Sequence, residues 1–166
     1  FFFSLFPKSL LNPEHLKIGY LRNFKFTGSI YAIPDGTPVF GNEPIVTVKA
    51  PIIEAQIIET ILLSYLNANI CYTTAATRVV ESANPVGVME FGARRAMGPE
   101  AALEASKCAI IAGCVGTSNV LAGQEYGVPV MGTMAHSLVT EADSEYEAFL
   151  NYAKAYPNNC VLLVDT

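Results

Sequence analysis

Four clusters of polar residues along the chain carry side chains that do chemistry, and each follows directly on a short apolar run. The first holds Glu90, Arg94 and Arg95, the second Thr117, Ser118 and Asn119, the third Thr133, His136 and Ser137, and the last Asp165. Together they offer two carboxylates, two guanidinium groups, several hydroxyls and an imidazole. Guanidinium forks hold anionic groups, imidazole takes a proton or a phosphoryl group near neutral pH, and a carboxylate can hold a hard cation. The inventory suits an anionic, metal-assisted substrate.

Each member also has a plainer reading. Arg94 and Arg95 fit a solvated pair at a helix start, and Glu90 fits a carboxylate pairing with one of them. Phe91 fits core. Thr117 or Ser118 would cap the next helix, Asp165 would cap a following one, and His136 fits a hydrogen-bonded histidine. Taken singly, none of these residues decides between the two readings.

The elements that position the clusters alternate in type from residue 85 onward. Short apolar strands are expected at 86–91, 114–117, 128–133 and 161–164, with helices over 98–111, 118–126 and 144–156 between them. Ser144 and Glu147 form a capping box for the last helix, and Tyr146, Phe149, Leu150, Ala153 and Tyr156 recur on one face of it. Such alternation implies parallel strands covered by helices, as an open doubly wound sheet or part of an α/β barrel, and both bind ligands at the carboxyl ends of their strands. Upstream, Ser29–Ile33, Val39–Phe40 and Ile45–Val48 with the turn Pro34–Thr37 predict a small antiparallel β element. Pro51 at a first helical position, and Ile53, Ile57, Ile61 and Ser64 at helical spacing, predict a helix over 51–66 with a possible second segment to 82. The expected division is a β-rich N-terminal part over 1–50, a bridging helical segment over 51–84, and the first strands and helices of an incomplete α/β barrel over 85–166.

Composition limits the function classes. With 51% hydrophobic and 15% charged residues in 166, the chain holds material for a sizeable core. Its net charge of -5 is scattered, with no basic stripe to neutralise a nucleic-acid backbone. Cys71, Cys108, Cys114 and Cys160 form no CxxC pair and lie in or beside apolar stretches, which predicts buried reduced thiols and a reducing compartment. The opening Phe1–Phe6 lacks the basic front and cleavage site of a signal peptide and reads as core. A start at Phe1 and a stop at Thr166, just after a strand-like run, predict a chain cut at both ends.

Three blocks resemble the signature segments of nicotinate phosphoribosyltransferases: Glu90-Phe91-Gly92-Ala93-Arg94-Arg95-Ala96-Met97-Gly98-Pro99, Gly116-Thr117-Ser118-Asn119-Val120-Leu121-Ala122-Gly123, and Gly132-Thr133-Met134-Ala135-His136-Ser137. The stretches Phe24–Gly28, Glu43-Pro44 through Ala50–Gln56, and Leu162–Thr166 are similar to the same family, so the resemblance runs in order through nearly the whole chain. It implies a parallel-stranded α/β barrel of the type II phosphoribosyltransferase kind, preceded by a small β-rich element, in a cytoplasmic homodimer without nucleic-acid or membrane partners. It also implies NAD salvage: nicotinate and 5-phosphoribosyl 1-diphosphate give nicotinate mononucleotide and diphosphate, with Mg2+ and with ATP as co-substrate hydrolysed through a phosphohistidine.

By the same resemblance His136 takes the position of that histidine, and Thr133 matches a contact to nicotinate. Phe91 and Arg94 match the ring-stacking and anion-holding positions. Ser118 stands where amide-using relatives are acidic, and Asp165 matches an acidic position near the diphosphate and its magnesium. Val115 departs from the family, which often has an acid there. The loops that hold the ribose phosphate lie outside the sequence, so the isolated chain is expected to be inactive and to leave an open strand edge prone to aggregate. The competing expectations are a related nicotinamide or quinolinate phosphoribosyltransferase and a non-catalytic truncated or degenerate paralogue.

Overall fold

The computed structural model describes residues 18–164. The apolar opening Phe1–Phe6, His15 and the expected acid Asp165 lie outside the described residues. The chain divides into two compact units, one reaching Leu66 and the other starting at Asn67, and the division falls within a long helix.

In the first unit a short helix α1 (Ile18–Arg22) precedes strand β1 (Ser29–Ala32), which pairs antiparallel with β2 (Val46–Lys49) in the register Ser29 to Lys49 and Ala32 to Val46. The turn expected at 34–37 forms, with the Thr37 amide donating to the Pro34 carbonyl. The strand expected at Val39–Phe40 does not form. That stretch turns instead, because Glu43 accepts the Phe40 amide on its side chain at 2.9 Å while its own amide returns to the Phe40 carbonyl. Helix α2 then runs as one element, Ile52–Ala83.

Glu54, in the first turn of α2, is buried, and its carboxylate accepts the Thr27 amide at 2.7 Å and the Thr27 hydroxyl at 3.0 Å. A charge so placed is stable only because those donors replace water. Gly28 follows, and a Cβ there would stand 2.4 Å from Ala50 Cβ and 2.6 Å from the Lys49 carbonyl. Only a glycine lets the entry to β1 lie this close to the end of β2. The segments Phe24–Gly28 and Ala50–Gln56 are thus two halves of one clasp. The periodic isoleucines of α2 are less buried than their spacing suggests, with Ile53 and Ile61 exposed.

In the second unit, β3 (Met89–Glu90) and β4 (Gly116–Thr117) pair in parallel, with Met89 opposite Gly116 and Glu90 opposite Thr117. The strand expected at 128–133 is reduced to a parallel bridge between Thr117 and Val130, flanked by Thr117 N–H to Pro129 carbonyl at 3.0 Å and Met131 N–H to Thr117 carbonyl at 2.9 Å. Residues 161–164 are not a strand. Val161, Leu162 and Val164 are exposed and have no neighbouring strand among the described residues, without which a β-rich sequence makes no ladder. Among the described residues the parallel sheet is therefore β3, β4 and the bridge, in chain order, and no closed barrel is seen.

Helix α3 (Pro99–Ile111) starts on proline, the residue whose missing N–H costs nothing there, and crosses back over the sheet. Ala102, Ser106 and Ala109 are buried on one face of it at helical spacing. Helix α4 (Val120–Tyr126) links β4 to the bridge, and α5 (His136–Glu141) and α6 (Glu145–Ala155) follow. A Cβ on Gly123 would stand 2.1 Å from Val130 Cγ2, so the glycine lets α4 lie against the bridge strand. Ser144 caps α6 as expected, accepting the Glu147 amide at 3.2 Å. The apolar face is rotated from the expected one: Ala148 is buried, while Tyr146 and Tyr156 are 76% and 56% exposed. The cysteines divide as well. Cys108 and Cys114 are buried, whereas Cys71 and Cys160 are exposed, contrary to the expectation that all four are buried.

Candidate active site

Three of the four polar clusters leave the sheet on the same side because the strand segments carrying them are neighbours and run the same way. The Ser118 amide donates to the Glu90 carbonyl at 3.0 Å, and the Met131 amide donates to the Thr117 carbonyl. The residues that continue past each strand therefore leave the sheet at one edge: Phe91 to Arg95 after β3, Ser118 and Asn119 after β4, and Thr133 to His136 after the bridge.

Glu90 is not paired with an arginine as the sequence suggested. Its carboxylate accepts hydrogen bonds from the Gly92 amide, from the Thr117 hydroxyl at 2.6 Å and from the Ser106 hydroxyl at 3.0 Å. Ser106 and Thr117 are fully buried, and Thr117 Oγ1 in turn accepts the Asn119 amide at 3.0 Å. Oε2 thus lies within hydrogen-bond reach of two buried hydroxyls and Oε1 within reach of a backbone N–H, and the single Ser106 proton is shared with the Ala102 carbonyl 2.8 Å away. Nearby, burial pushes the Cys114 thiol above its ordinary range, with the negative charge of Glu90 adding to the effect.

The cap of α4 is Asn119, whose Oδ1 accepts the amides of Leu121 at 3.2 Å and Ala122 at 3.3 Å. The sequence had given that task to Ser118 or Thr117. With Asn119 as cap and Thr117 bound to Glu90, the Ser118 side chain is exposed and has no capping task.

Arg94 and Arg95 sit on a single turn of 3-10 helix (Ala93–Arg95) between β3 and α3, both exposed. Two concavities flank this turn. One of about 220 Å3 is lined by Tyr72, Glu90, Arg95, Met97 and Ala105 among others. The other, of about 550 Å3, lies between the turn and the starts of α3 and α4 and is lined by Gly98, Pro99, Ser118, Asn119 and Leu121 among others. Ser118 thus faces a cavity, and Arg95 rather than Arg94 lines one. Phe91 is at the exposed margin, at 36%, and Thr133 and His136 are half-buried. Phe91, Arg94, Thr133 and His136 are not among the residues lining these two concavities. His136 is the first residue of α5, a helix the sequence did not predict.

Ser106 is the site residue that sequence reasoning missed. Its hydroxyl already meets the Ala102 carbonyl one turn earlier in the helix at 2.8 Å, so nothing local in the sequence pointed to Glu90.

Among the described residues no three His, Cys, Asp or Glu side chains group as a metal cage, and no helix is long and apolar enough to cross a membrane.

Parallel strands with crossover helices, polar residues gathered at the carboxyl edge, and concavities opening at that edge define an α/β ligand-binding unit. Residues 8–67 match the nicotinate phosphoribosyltransferase (NAPRTase) N-terminal domain, and residues 86–160 match the NAPRTase family. The chain is 47% identical over 147 residues to nicotinate phosphoribosyltransferase pncB2 of Mycobacterium tuberculosis (strain ATCC 25618 / H37Rv), a match covering 89% of this chain and 32% of the relative. It is 46% identical over 176 residues to the nicotinate phosphoribosyltransferase of Bacillus subtilis (strain 168), covering 90% and 36%. The crystal structure of human nicotinic acid phosphoribosyltransferase superposes with a TM-score of 0.72 at 37% identity, covering 80% of this chain and 27% of that one. The chain belongs to the nicotinate phosphoribosyltransferase family. It spans about a third of the length of these bacterial relatives.

Proposed function

We propose that the complete polypeptide carrying these residues joins nicotinate to 5-phosphoribosyl 1-diphosphate, forming nicotinate mononucleotide and diphosphate with coupled hydrolysis of ATP, as a cytoplasmic homodimer in NAD salvage. The observation that carries this reading is that the three motif blocks continue from three adjacent parallel strand segments and leave the sheet at one edge. The strands are read as the first of a parallel α/β barrel, whose chemistry lies at that edge.

The ring nitrogen of nicotinate attacks C1 of the ribose as the bond from C1 to the diphosphate oxygen breaks. Positive charge builds on the sugar and negative charge on the leaving group, and the nucleophile needs positioning more than deprotonation. Phe91 stacks on the pyridine ring, Arg94 holds its carboxylate, and Ser118 and Thr133 donate hydroxyls around it. The exposure of Phe91, Arg94 and Ser118 and their place at the strand ends support these roles.

His136 accepts the terminal phosphoryl group of ATP through a neutral ring nitrogen, releasing ADP, and water later hydrolyses the phosphohistidine. Magnesium carried by a diphosphate needs only one or two protein carboxylates. The candidate is Asp165, outside the described residues.

The test is a product assay on the complete polypeptide with 5-phosphoribosyl 1-diphosphate, Mg2+, ATP and, in parallel, nicotinate, nicotinamide and quinolinate. Nicotinate mononucleotide is the expected product. Preference for either other base, or no product from any of them in a folded protein, would overturn the reading.

A further inference from the structure

We propose that Glu90 is a positioning residue that, through the buried hydroxyls of Thr117 and Ser106, locks the turn after β3 to the turn after β4 and so sets the gap in which the pyridine substrate is held. The inference rests on the proposed activity and adds to it a residue that need not touch the substrate.

The geometry is specific about what is tied to what. Glu90 lies at the end of β3, one residue before Phe91, and its Oε1 accepts the Gly92 amide, fixing the turn that presents Phe91 and leads to Arg94. Its Oε2 accepts from Thr117, the last residue of β4, at 2.6 Å, and from Ser106 in the middle of α3 at 3.0 Å. Thr117 Oγ1 then accepts the Asn119 amide at 3.0 Å, fixing the turn that presents Ser118. One carboxylate therefore holds both turns and the crossover helix between them. β3 and β4 pair over only two residues each, so the ladder alone is short for fixing these ends.

The donor pattern also favours a carboxylate over an amide at this position. The Gly92 N–H can only donate, the Thr117 hydroxyl donates at 2.6 Å, and the Ser106 hydroxyl divides its proton between Glu90 and the Ala102 carbonyl. An amide in its place either turns its NH2 toward the Gly92 N–H, opposing two donors, or turns it toward the hydroxyls, which must then stop donating to residue 90 and accept instead. Removing the Thr117 hydroxyl with little change of shape, as in Thr117→Val, cuts the link while leaving the volume filled.

Steady-state kinetics on the complete polypeptide and amide hydrogen exchange at Gly92 and Asn119 test the proposal together. In folded Thr117→Val and Glu90→Gln, exchange at these amides should speed up and the nicotinate KM should rise by about tenfold, the worth of one good hydrogen bond, with a smaller change in kcat. Thr117→Ser, which restores the hydroxyl, should return KM to within about threefold of the parent. A merely structural network predicts a lower Tm with the parent KM in whatever protein remains folded.

If Thr117→Val does not fold, Ser106→Ala carries the same test, with a KM rise of about threefold expected because a donor shared with the Ala102 carbonyl is lost and the others remain. Parent KM in the folded valine or alanine variant overturns the proposal, as does unchanged exchange at Gly92 and Asn119. A parent protein that makes no nicotinate mononucleotide overturns the proposed activity instead, and the exchange result still decides whether Glu90 couples the two turns.

Discussion

Ser118 donates its amide to the carbonyl of Glu90 across 3.0 Å, so the first residue after one strand is pinned beside the last residue of its neighbour. The consequence is chemical as well as structural. Phe91 follows Glu90 directly, so Phe91 and Ser118, 27 residues apart in the chain, continue from neighbouring strand ends. Arg94 follows on the turn after β3, and the proposed function assigns these three residues to the nicotinate ring and its carboxylate.

Arg94→Ala in the complete polypeptide should therefore lower kcat/KM for nicotinate by about tenfold to a hundredfold, the range for a hydrogen bond to a charged group. Arg94→Lys should recover only part of it, because a single ammonium does not match the carboxylate with two parallel donors. Steady-state rates at several nicotinate concentrations check this. Equal kinetics in variant and parent would make Arg94 a solvated surface residue.

The packing of α4 gives a stability prediction that is independent of any ligand. Gly123→Ala places a methyl within 2.1 Å of Val130 Cγ2. Overpacking costs about 1–3 kcal/mol, against a helix-propensity gain of about 1 kcal/mol, so the variant should melt at a lower temperature. Adding Val130→Ala removes the clash and should make the alanine at 123 nearly neutral within that background. A calorimetric double-mutant cycle reads the coupling.

Much of the local structure was legible because its causes are local. The Ser144 cap of α6, the Pro99 start of α3 and the turn at 34–37 each depend on residues within four positions, and all three form. The strands at 128–133 and 161–164 were not legible to the same degree, since a β-branched run becomes a strand only where a neighbour is present. Helix α5 was missed for a related reason: it has six residues, no side-chain N-cap and an alanine on either side. In the candidate site, Glu90, Thr117 and Ser118 were recognisable as polar strand ends. The partners of Glu90 were not, because Ser106 and Thr117 lie 16 and 27 residues away and meet it only through the parallel register and the helical row on α3.

The clasp in the N-terminal unit should show the cost of an unmet buried charge. Thr27→Val removes the hydroxyl that contacts both oxygens of Glu54 and leaves the carboxylate with the Thr27 amide alone. A loss of about 1–3 kcal/mol is expected, with Thr27→Ser recovering most of it. Denaturant titration monitored on the β1 and β2 amides checks it, and an unchanged midpoint for the valine variant would contradict it.

Cys114 supplies a pH dependence whose sign is fixed. Burial, with Glu90 adding, raises its folded-state pKa, so the native state keeps the thiol proton that the unfolded chain releases. Its contribution to stability is intact below the ordinary thiol pKa of about 8.5 and is lost as pH rises through the folded value. Cys114→Ala should therefore flatten the alkaline limb of the stability curve. In the parent near pH 8, alkylation mapped by mass spectrometry should mark the exposed Cys71 and Cys160 and spare the buried Cys114.

The central claim is that the loops at the carboxyl ends of the parallel strands are where the chemistry occurs, and His136, at the start of α5 beyond the bridge strand, tests it most directly. Incubated with γ-labelled ATP, the complete polypeptide should acquire an acid-labile, base-stable phosphate that peptide mapping places on His136. His136→Asn should abolish the label, and because forming the nucleotide requires no phosphohistidine, the variant should retain some synthesis that ATP no longer stimulates. A well-folded His136→Asn protein that keeps both the label and the response to ATP would contradict the account.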